Sequence, residues 1–148
     1  MYYTHMHECM LQIGEEKADH DQYLRCEKDN VTPRTNFVSL PPKSPGADLL
    51  YQAAAAYAAG ALALETVGGS AQLAQRATAK ATEIFKRAEA VPGLYSEHLG
   101  PRAGQTYPND GWESFGFWAA SWLHRLTKEE TYKAVCCLSR PRSSWTAL

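Results

Sequence analysis

The sequence predicts an all-α fold of paired helices, and three observations lead to this prediction. The alanine-rich segment 48–66 is strongly helix-forming and stops at Gly68 and Gly69. In the segment that follows, up to Ala90, apolar residues recur every three or four positions. Nowhere do apolar and polar residues alternate as they do along a half-buried strand. We therefore expect helical hairpins and no strand.

The two helices of the first pair have different patterns. Segment 48–66 is apolar nearly all round, so it is expected to be buried on most sides. The second helix, which Ser70 can cap and which Pro92-Gly93 ends, has a polar face opposite an apolar stripe. That stripe consists of Ala74, Ala77, Ala81, Ile84, Phe85 and Ala88.

A second pair follows a loop of about 18 residues that is rich in glycine, proline and tyrosine. Asp110 and Glu113 have the spacing of a capping box ahead of a helix over 112–126, in which Trp112, Trp118 and Trp122 are expected to pack. A short fourth helix, with Thr127 and Glu130 in the same spacing, should end near residues 139–141.

These elements divide the chain into three parts: a loop region over 1–44, helical hairpins over 45–138 and an irregular tail over 139–148. Alternation of buried and amphipathic helices predicts an inner and an outer ring, as in an (α/α) toroid, although a helical solenoid would give a similar pattern. Only two hairpins fit in this length. We therefore expect the chain to be a fragment or part of a larger assembly.

Composition excludes several classes of function. The 15 basic and 16 acidic residues are mixed along the chain, with no run of one sign to bind nucleic acid. The first residues have no basic and apolar regions of a secretory signal, and the longest apolar stretch is too short and too rich in alanine to span a membrane. Nucleic acid and membrane are therefore not expected partners.

Four blocks of sequence, in order, resemble glycoside hydrolase family nine, the family of many endo-β-1,4-glucanases. The first covers 11–34 and reads LQIGEEKADHDQYLRCE with Thr-Pro-Arg five residues later; the second is SPGAD at 44–48 with the alanine-rich helix. The third is Tyr95-Ser96, and the fourth runs from GWE at 111–113 to FWAASWL at 117–123. This resemblance implies a partial (α/α)6 barrel of six hairpins, of which about two are present.

The resemblance also implies an activity, the hydrolysis of β-1,4-glucosidic bonds in cellulose or related β-glucans with inversion. In the family the base lies in an Asp-Ala-Gly-Asp motif and the acid is a glutamate near the end of the domain. Neither motif occurs here, so we assign no catalytic residue and expect this chain alone to be inactive. The alternative is a non-catalytic helical scaffold or a carbohydrate-binding remnant.

Four residues match or lie near family positions that bind substrate. His20 follows Asp19 as in the family, and an imidazole can exchange hydrogen bonds with sugar hydroxyls. Tyr23 stands where the family usually has tryptophan, and its ring can pack on a glucose ring. Arg25 matches a family arginine, and Tyr107 lies two or three residues from a groove tyrosine.

No metal or other cofactor is expected. The family often binds calcium at the start of the third predicted helix, but Ser114 and Phe115 occupy the positions of its Asp-Glu pair, and Ca²⁺ needs six to eight oxygen ligands. The partner implied by the resemblance is a β-glucan polysaccharide. The implied compartment is extracellular, although no signal peptide can be read in this chain.

Overall fold

A computed structural model describes residues 9–13, 26–28, 37–41, 43–99 and 109–138. Within these ranges the chain forms two short strands, one turn of 3-10 helix at Cys26–Lys28 and five α-helices. The strands are β1 (Cys9–Ile13) and β2 (Phe37–Leu40). The helices are α1 (Ala47–Thr66), α2 (Ala71–Ala90), α3 (Tyr95–Leu99), α4 (Glu113–Thr127) and α5 (Glu130–Leu138).

Helix α1 lies at the centre of the described fold, with α2 and α4 packed against it and α5 packed against α4. Small alanine side chains on α1 allow this close approach, and larger side chains fill the remaining space. Phe85 lies between two tyrosines: its ring centroid is 5.2 Å from that of Tyr51 and 5.3 Å from that of Tyr132. Among the described helices, none is both long and apolar enough to cross a bilayer.

The first three predicted helices occur within one residue of their expected bounds, and the expected end of the fourth, near 139–141, lies outside the described residues. The burial of α1, however, was overestimated. One side of this helix is buried, whereas Ala56, Tyr57 and Gly60 on another side are exposed. The expectation of burial on most sides is therefore wrong within the described residues, because α2 and α4 cover the helix on only part of its surface. The stripe on α2 is confirmed, since its six members are buried or half-buried.

Exposed and half-buried residues near the α1–α2 connection form an open apolar cleft, which we call the open end. Tyr57 is 44% exposed and Val67 is 78% exposed. The open end is lined by Ala56, Tyr57, Gly60, Ala63, Leu64, Val67 and Ala77.

Helix capping agrees with the sequence at one site and differs at two. Ser70 caps α2, since its hydroxyl accepts a hydrogen bond from the Leu73 amide at 3.3 Å. The capping box proposed before α4 is absent, because Trp112 is the N-cap residue and makes no side-chain cap. At α5 the Thr127 hydroxyl accepts from the Glu129 amide at 3.2 Å, one residue earlier than a capping box requires.

The prediction of no strand is wrong. β1 and β2 pair antiparallel, with Cys9 opposite Leu40 and Ile13 opposite Phe37, and an irregularity between Met10 and Gln12. The two strands are too short to show a clear period, and their pairing joins residues far apart in sequence. A short helix, α3, also begins inside the segment predicted to be a loop.

The tryptophans of α4 divide into two groups. Trp112 and Trp122 pack against the core, as predicted, and the guanidinium of Arg125 lies 6.0 Å from the Trp122 ring centroid. Trp118 is 47% exposed, so the packing prediction is wrong for this residue within the described part of the chain. The helix turns Trp118 away from the side that faces α1.

Candidate functional site

The end of β2, the start of α1, the end of α2 and the turn before α3 meet in one place. We call this region the anchored end and define it as residues 40, 41, 43–48, 87–95 and 109. At its centre the Ala47 amide, at the start of α1, donates to the Gly93 carbonyl at 2.8 Å. This bond joins two connections that are distant in sequence.

Arg87, on α2, links the strand pair to the helices by hydrogen bonds. Its Nη2 donates to the carbonyl oxygens of both Leu40 and Pro41, each at 2.8 Å. Hydrogen bonds from a charged donor are stronger than neutral ones, which suits a residue that holds the last residue of a strand. The guanidinium thus fixes where β2 ends relative to α2.

Two glycines let the backbone segments come this close. Gly46 has a φ of 155°, and a Cβ at this position would lie 2.5 Å from Leu40 Cδ2. Gly93 has a φ of 130°, and a Cβ there would lie 2.7 Å from Pro45 Cβ. Both positions therefore combine a backbone conformation that favours glycine with a contact that excludes a side chain.

Asp48 is the only buried charged side chain among the described residues, with 0% exposure. Its Oδ1 accepts from the Tyr95 amide at 2.9 Å, and its Oδ2 accepts from Asn109 Nδ2 at 2.6 Å. A carboxylate can only accept hydrogen bonds, so the nitrogen of the Asn109 side chain must face it.

The position of Asp48 in α1 explains why a carboxylate is tolerated there. It lies in the first turn, where the helix dipole favours negative charge, and each of its oxygens has a donor. The residue matches the aspartate of the SPGAD block, and Tyr95 begins the third block. The bond between them shows that two of the sequence blocks meet in space.

The four predicted substrate-binding residues, His20, Tyr23, Arg25 and Tyr107, lie outside the described residues. Chain connectivity nevertheless relates their segments to the anchored end. Segment 14–36 joins β1 to β2, whose last residue is held by Arg87, and segment 100–108 joins α3 to Asn109. Both segments thus connect to elements held at the same end of the α1–α2 pair.

Sequence reasoning did not single out Arg87 or Asn109. Arg87 is one of many polar residues on an amphipathic helix, and Asn109 stands in a segment that reads as a loop. Their partners lie 46 and 61 positions away. The capping-box spacing noted beside Asn109 involves Asp110 and Glu113, and it gave no indication of a contact with Asp48.

Three titratable groups near the core have shifted pKa values. Burial raises the pKa of Tyr51, and the nearby charge of Glu89 raises it further. Burial also raises the pKa of Tyr132. The pKa of Glu89 is raised by burial and partly lowered again by Lys86. The two tyrosines therefore stay neutral and serve in packing. Ionisation of Glu89 is less favourable in the folded chain than in the unfolded chain.

The described residues contain no group of three or more side chains that could together hold a metal ion. At the start of α4, Ser114 is exposed, and Phe115 packs against the core. The side chain of Phe115 therefore serves in packing, and the absence of calcium remains a prediction.

Comparison with solved structures defines the class of protein. The chain matches an endoglucanase from the termite Nasutitermes takasagoensis with a TM-score of 0.76 at 25% identity, over 93% of this chain and 30% of that one. The cellulase Cel9M of C. cellulolyticum has the same fold, with a TM-score of 0.72 at 22% identity, over 93% of this chain and 30% of that one. The prediction of a partial (α/α)6 barrel is thereby confirmed.

Sequence comparison then gives the family. Residues 1–144 match glycosyl hydrolase family 9, and the chain belongs to this family. Endoglucanase 15 of Arabidopsis thaliana is 40% identical over 121 residues, which are 82% of this chain and 24% of the relative. Endoglucanase 3 of Oryza sativa subsp. japonica is 36% identical over 123 residues, with the same two shares. The chain thus spans about a quarter of the length of these curated relatives.

Proposed function

We propose that the chain is the part of an endo-β-1,4-glucanase that supplies one wall of its glucan-binding groove. The observation that carries this proposal is the anchored end, which is joined to both segments that contain the four predicted groove residues. Membership of family 9 and the endoglucanases among its relatives support the substrate class. Such an enzyme would act on extracellular polysaccharide.

The groove residues would bind by two kinds of contact. The ring of Tyr23 would pack on the apolar face of a glucose unit, and Tyr107 would add a second aromatic contact or a hydroxyl. His20 and Arg25 would exchange hydrogen bonds with sugar hydroxyls. These roles require no charge on the substrate, which agrees with the balanced charge of the chain.

The hydrolytic carboxylates would come from other parts of the enzyme. Inversion needs an acid and a base roughly 6.5 to 9.5 Å apart on opposite sides of the bond. Asp48 does not suit either role, because it is buried and both its oxygens already accept hydrogen bonds. Glu129, on the α4–α5 connection, and Glu130, the first residue of α5, are both exposed.

A segment exchange tests the proposal. The matched 121 residues of Endoglucanase 15 are replaced by those of this chain, and release of reducing sugar from carboxymethylcellulose is measured. We expect the chimera to be active and Y23A together with H20A to lower its activity at least about tenfold. The lost aromatic contact and the lost hydrogen bond should each cost of the order of 1 kcal/mol. A folded chimera whose activity is unchanged by both substitutions would contradict the groove assignment.

The chain alone provides a second test. Residues 1–148, purified on a soluble fusion partner, should bind cellohexaose more tightly than maltohexaose and should release no sugar from carboxymethylcellulose above buffer. Turnover that survives repurification would contradict the assignment of the carboxylates to other parts of the enzyme. Equal affinity for the two sugars would contradict the β-1,4-glucan proposal.

The alternative is a non-catalytic helical scaffold or carbohydrate-binding protein. The absence of an Asp-Ala-Gly-Asp motif from the sequence is the observation in its favour. Sugar binding by the chain together with an inactive, folded chimera would support it over the hydrolase.

A further inference from the structure

We propose that Asp110 and Gly111 form a site of covalent modification, at which the aspartate converts spontaneously to isoaspartate. The pair lies between Asn109 and helix α4. The reaction needs no enzyme, metal or sugar, so it does not depend on the proposed function.

The sequence makes this pair chemically distinctive. Asp110-Gly111 is the only place in the 148 residues where glycine follows an aspartate or an asparagine. Glycine has no Cβ, so its amide nitrogen is less shielded than that of other residues and its backbone turns more freely. Both properties let the nitrogen reach the side-chain carboxyl of the residue before it.

The structure leaves the two reacting groups accessible. Asp110 is exposed, and both residues lie outside the helices and strands. Among the described residues, neither the Asp110 carboxyl nor the Gly111 amide takes part in a hydrogen bond. Asp48 is the opposite case, because it is buried in the first turn of α1 and both its oxygens accept hydrogen bonds. The fold therefore favours reaction at Asp110 and opposes it at Asp48.

The chemistry is a ring closure followed by hydrolysis. The Gly111 amide nitrogen attacks Cγ of Asp110, an N–C bond forms, and the carboxyl hydroxyl leaves with the amide proton as water. The product is a succinimide, which is lighter than the original chain by one water molecule. Water then adds to the ring and breaks one of its two C–N bonds. When the bond to the original backbone carbonyl breaks, the main chain runs through Cγ and residue 110 has become isoaspartate.

The modification lengthens the main chain by one methylene between two fixed points. On one side, Asn109 Nδ2 donates to Asp48 Oδ2 at 2.6 Å. On the other side, Trp112 packs against the core, and its carbonyl accepts from the Gly116 amide at 3.0 Å. Because Trp112 is held by packing as well as by a hydrogen bond, we expect the bond from Asn109 to break first. Isoaspartate should therefore loosen the anchored end.

The experiment uses the full 148-residue chain on a soluble fusion partner that melts at a higher temperature. After incubation at pH 7 and physiological temperature, isoaspartate is quantified by methylation with protein isoaspartyl methyltransferase and located by fragmentation mass spectrometry. We expect it to form at Asp110 at least about tenfold faster than at Asp48, since a barrier difference of about 1.4 kcal/mol is enough for that ratio. Equal rates at the two residues, or no isoaspartate at Asp110, would overturn the proposal.

Two variants test the roles of the two residues. G111A should slow the reaction at least about tenfold, because a Cβ shields the attacking nitrogen. This Cβ would lie 2.5 Å from Glu113 Oε2, the end of an exposed side chain that can move, so the variant should fold. D110E adds one carbon to the side chain, which disfavours ring closure, and should give no isoaspartate at this position. A G111A chain that reacts as fast as the parent would overturn the role of the Gly111 amide.

The second readout is the melting temperature of the aged chain. The fraction that contains isoaspartate should melt at least about 3 °C below the fresh chain, since a hydrogen bond to a buried carboxylate is lost. Treatment with the methyltransferase and S-adenosylmethionine returns isoaspartate to aspartate through the succinimide, so it should restore the melting temperature. Aged D110E is the matched control and should melt as the fresh variant does. An unchanged melting temperature, or a loss that the treatment does not reverse, would overturn the effect on the anchored end.

Discussion

The two ends of helix α1 have similar sequences and very different surroundings. At the anchored end Asp48 is 0% exposed and bonded to two other segments, whereas at the open end Val67 is 78% exposed beside an apolar cleft. Both ends have four apolar residues in six, ADLLYQ at 47–52 and ALALET at 61–66, so apolar content does not account for the difference. The difference arises because more elements pack on the anchored end than on the open end. Apolar surface is therefore buried at the anchored end and faces solvent at the open end.

The largest expected effect comes from deleting a large aromatic side chain from the core. F85A deletes the ring between Tyr51 and Tyr132 and should cost about 3 to 5 kcal/mol of the free energy of unfolding. Denaturation followed by circular dichroism measures this loss. L73A is the control, because Leu73 is 49% exposed and should cost far less. A loss below about 1 kcal/mol for F85A would mean that the core is loosely packed.

The second prediction concerns the open end. Exposed apolar patches of this kind promote association, so the isolated chain should aggregate or bind a hydrophobic dye and should become soluble when flanking hairpins are restored. Y57K/V67K should reduce dye fluorescence at least about twofold without lowering the melting temperature. Q72K/Q75K adds the same charge on the exposed side of α2 and should leave dye binding unchanged. A monodisperse chain that binds little dye would contradict this prediction, because the open end would then not behave as an exposed apolar surface.

A smaller effect is expected at Glu89, within the anchored end. The pKa of its carboxyl is raised by burial, with Lys86 acting in the opposite direction, so the folded chain holds this proton more tightly than the unfolded chain. The resulting stability is present at acid pH and is lost as the pH rises through the pKa of the folded state. E89Q should therefore raise the melting temperature at pH 7, by only about 1 °C because the carboxyl is only partly buried and water screens its charge.

This gain should vanish below about pH 4, where the carboxyl is protonated in both states. E83Q is the matched control, since Glu83 is exposed and pairs with Lys80 at 3.0 Å, so its removal should give no gain. An E89Q chain that is less stable at pH 7 would mean that this carboxylate has a favourable partner.

The last prediction is that added calcium has no effect on stability. The start of α4 adjoins the anchored end through Asn109, and a calcium ion there would add to its stability. Ser114 and Phe115 offer no carboxylate, so adding calcium should leave the melting temperature unchanged. A calcium-dependent rise of several degrees would show that other residues supply the ligands.

The helices were predictable because their signals are local. Gly68 and Gly69 end α1, Ser70 caps α2, and the stripe that contains Phe85 has the period of a helix. The strands were not predictable, since the pairing of Cys9 with Leu40 depends on a long-range approach and not on either short segment. The bounds of α4 were predicted to within one residue, although the capping box before it was wrong.

The candidate site was predictable in part. The sequence blocks pointed to residues in segments 14–36 and 100–108, and that assignment remains a proposal. What the sequence did not reveal is how these segments are held, because Arg87 and Asp48 act on groups distant along the chain. Such contacts leave no periodic pattern in the sequence, and the sequence does not distinguish a buried aspartate from an exposed one.

The pairing of β1 with β2 has a consequence for the length of the segment between the two strands. The two strands bring Ile13 opposite Phe37, so they close the intervening segment 14–36 at its base. The entropic cost of closing a flexible loop grows only with the logarithm of its length, at about 0.6 kcal/mol for each doubling. Insertions in this segment should therefore cost the helices little stability, so its length can change without a change in the helical core.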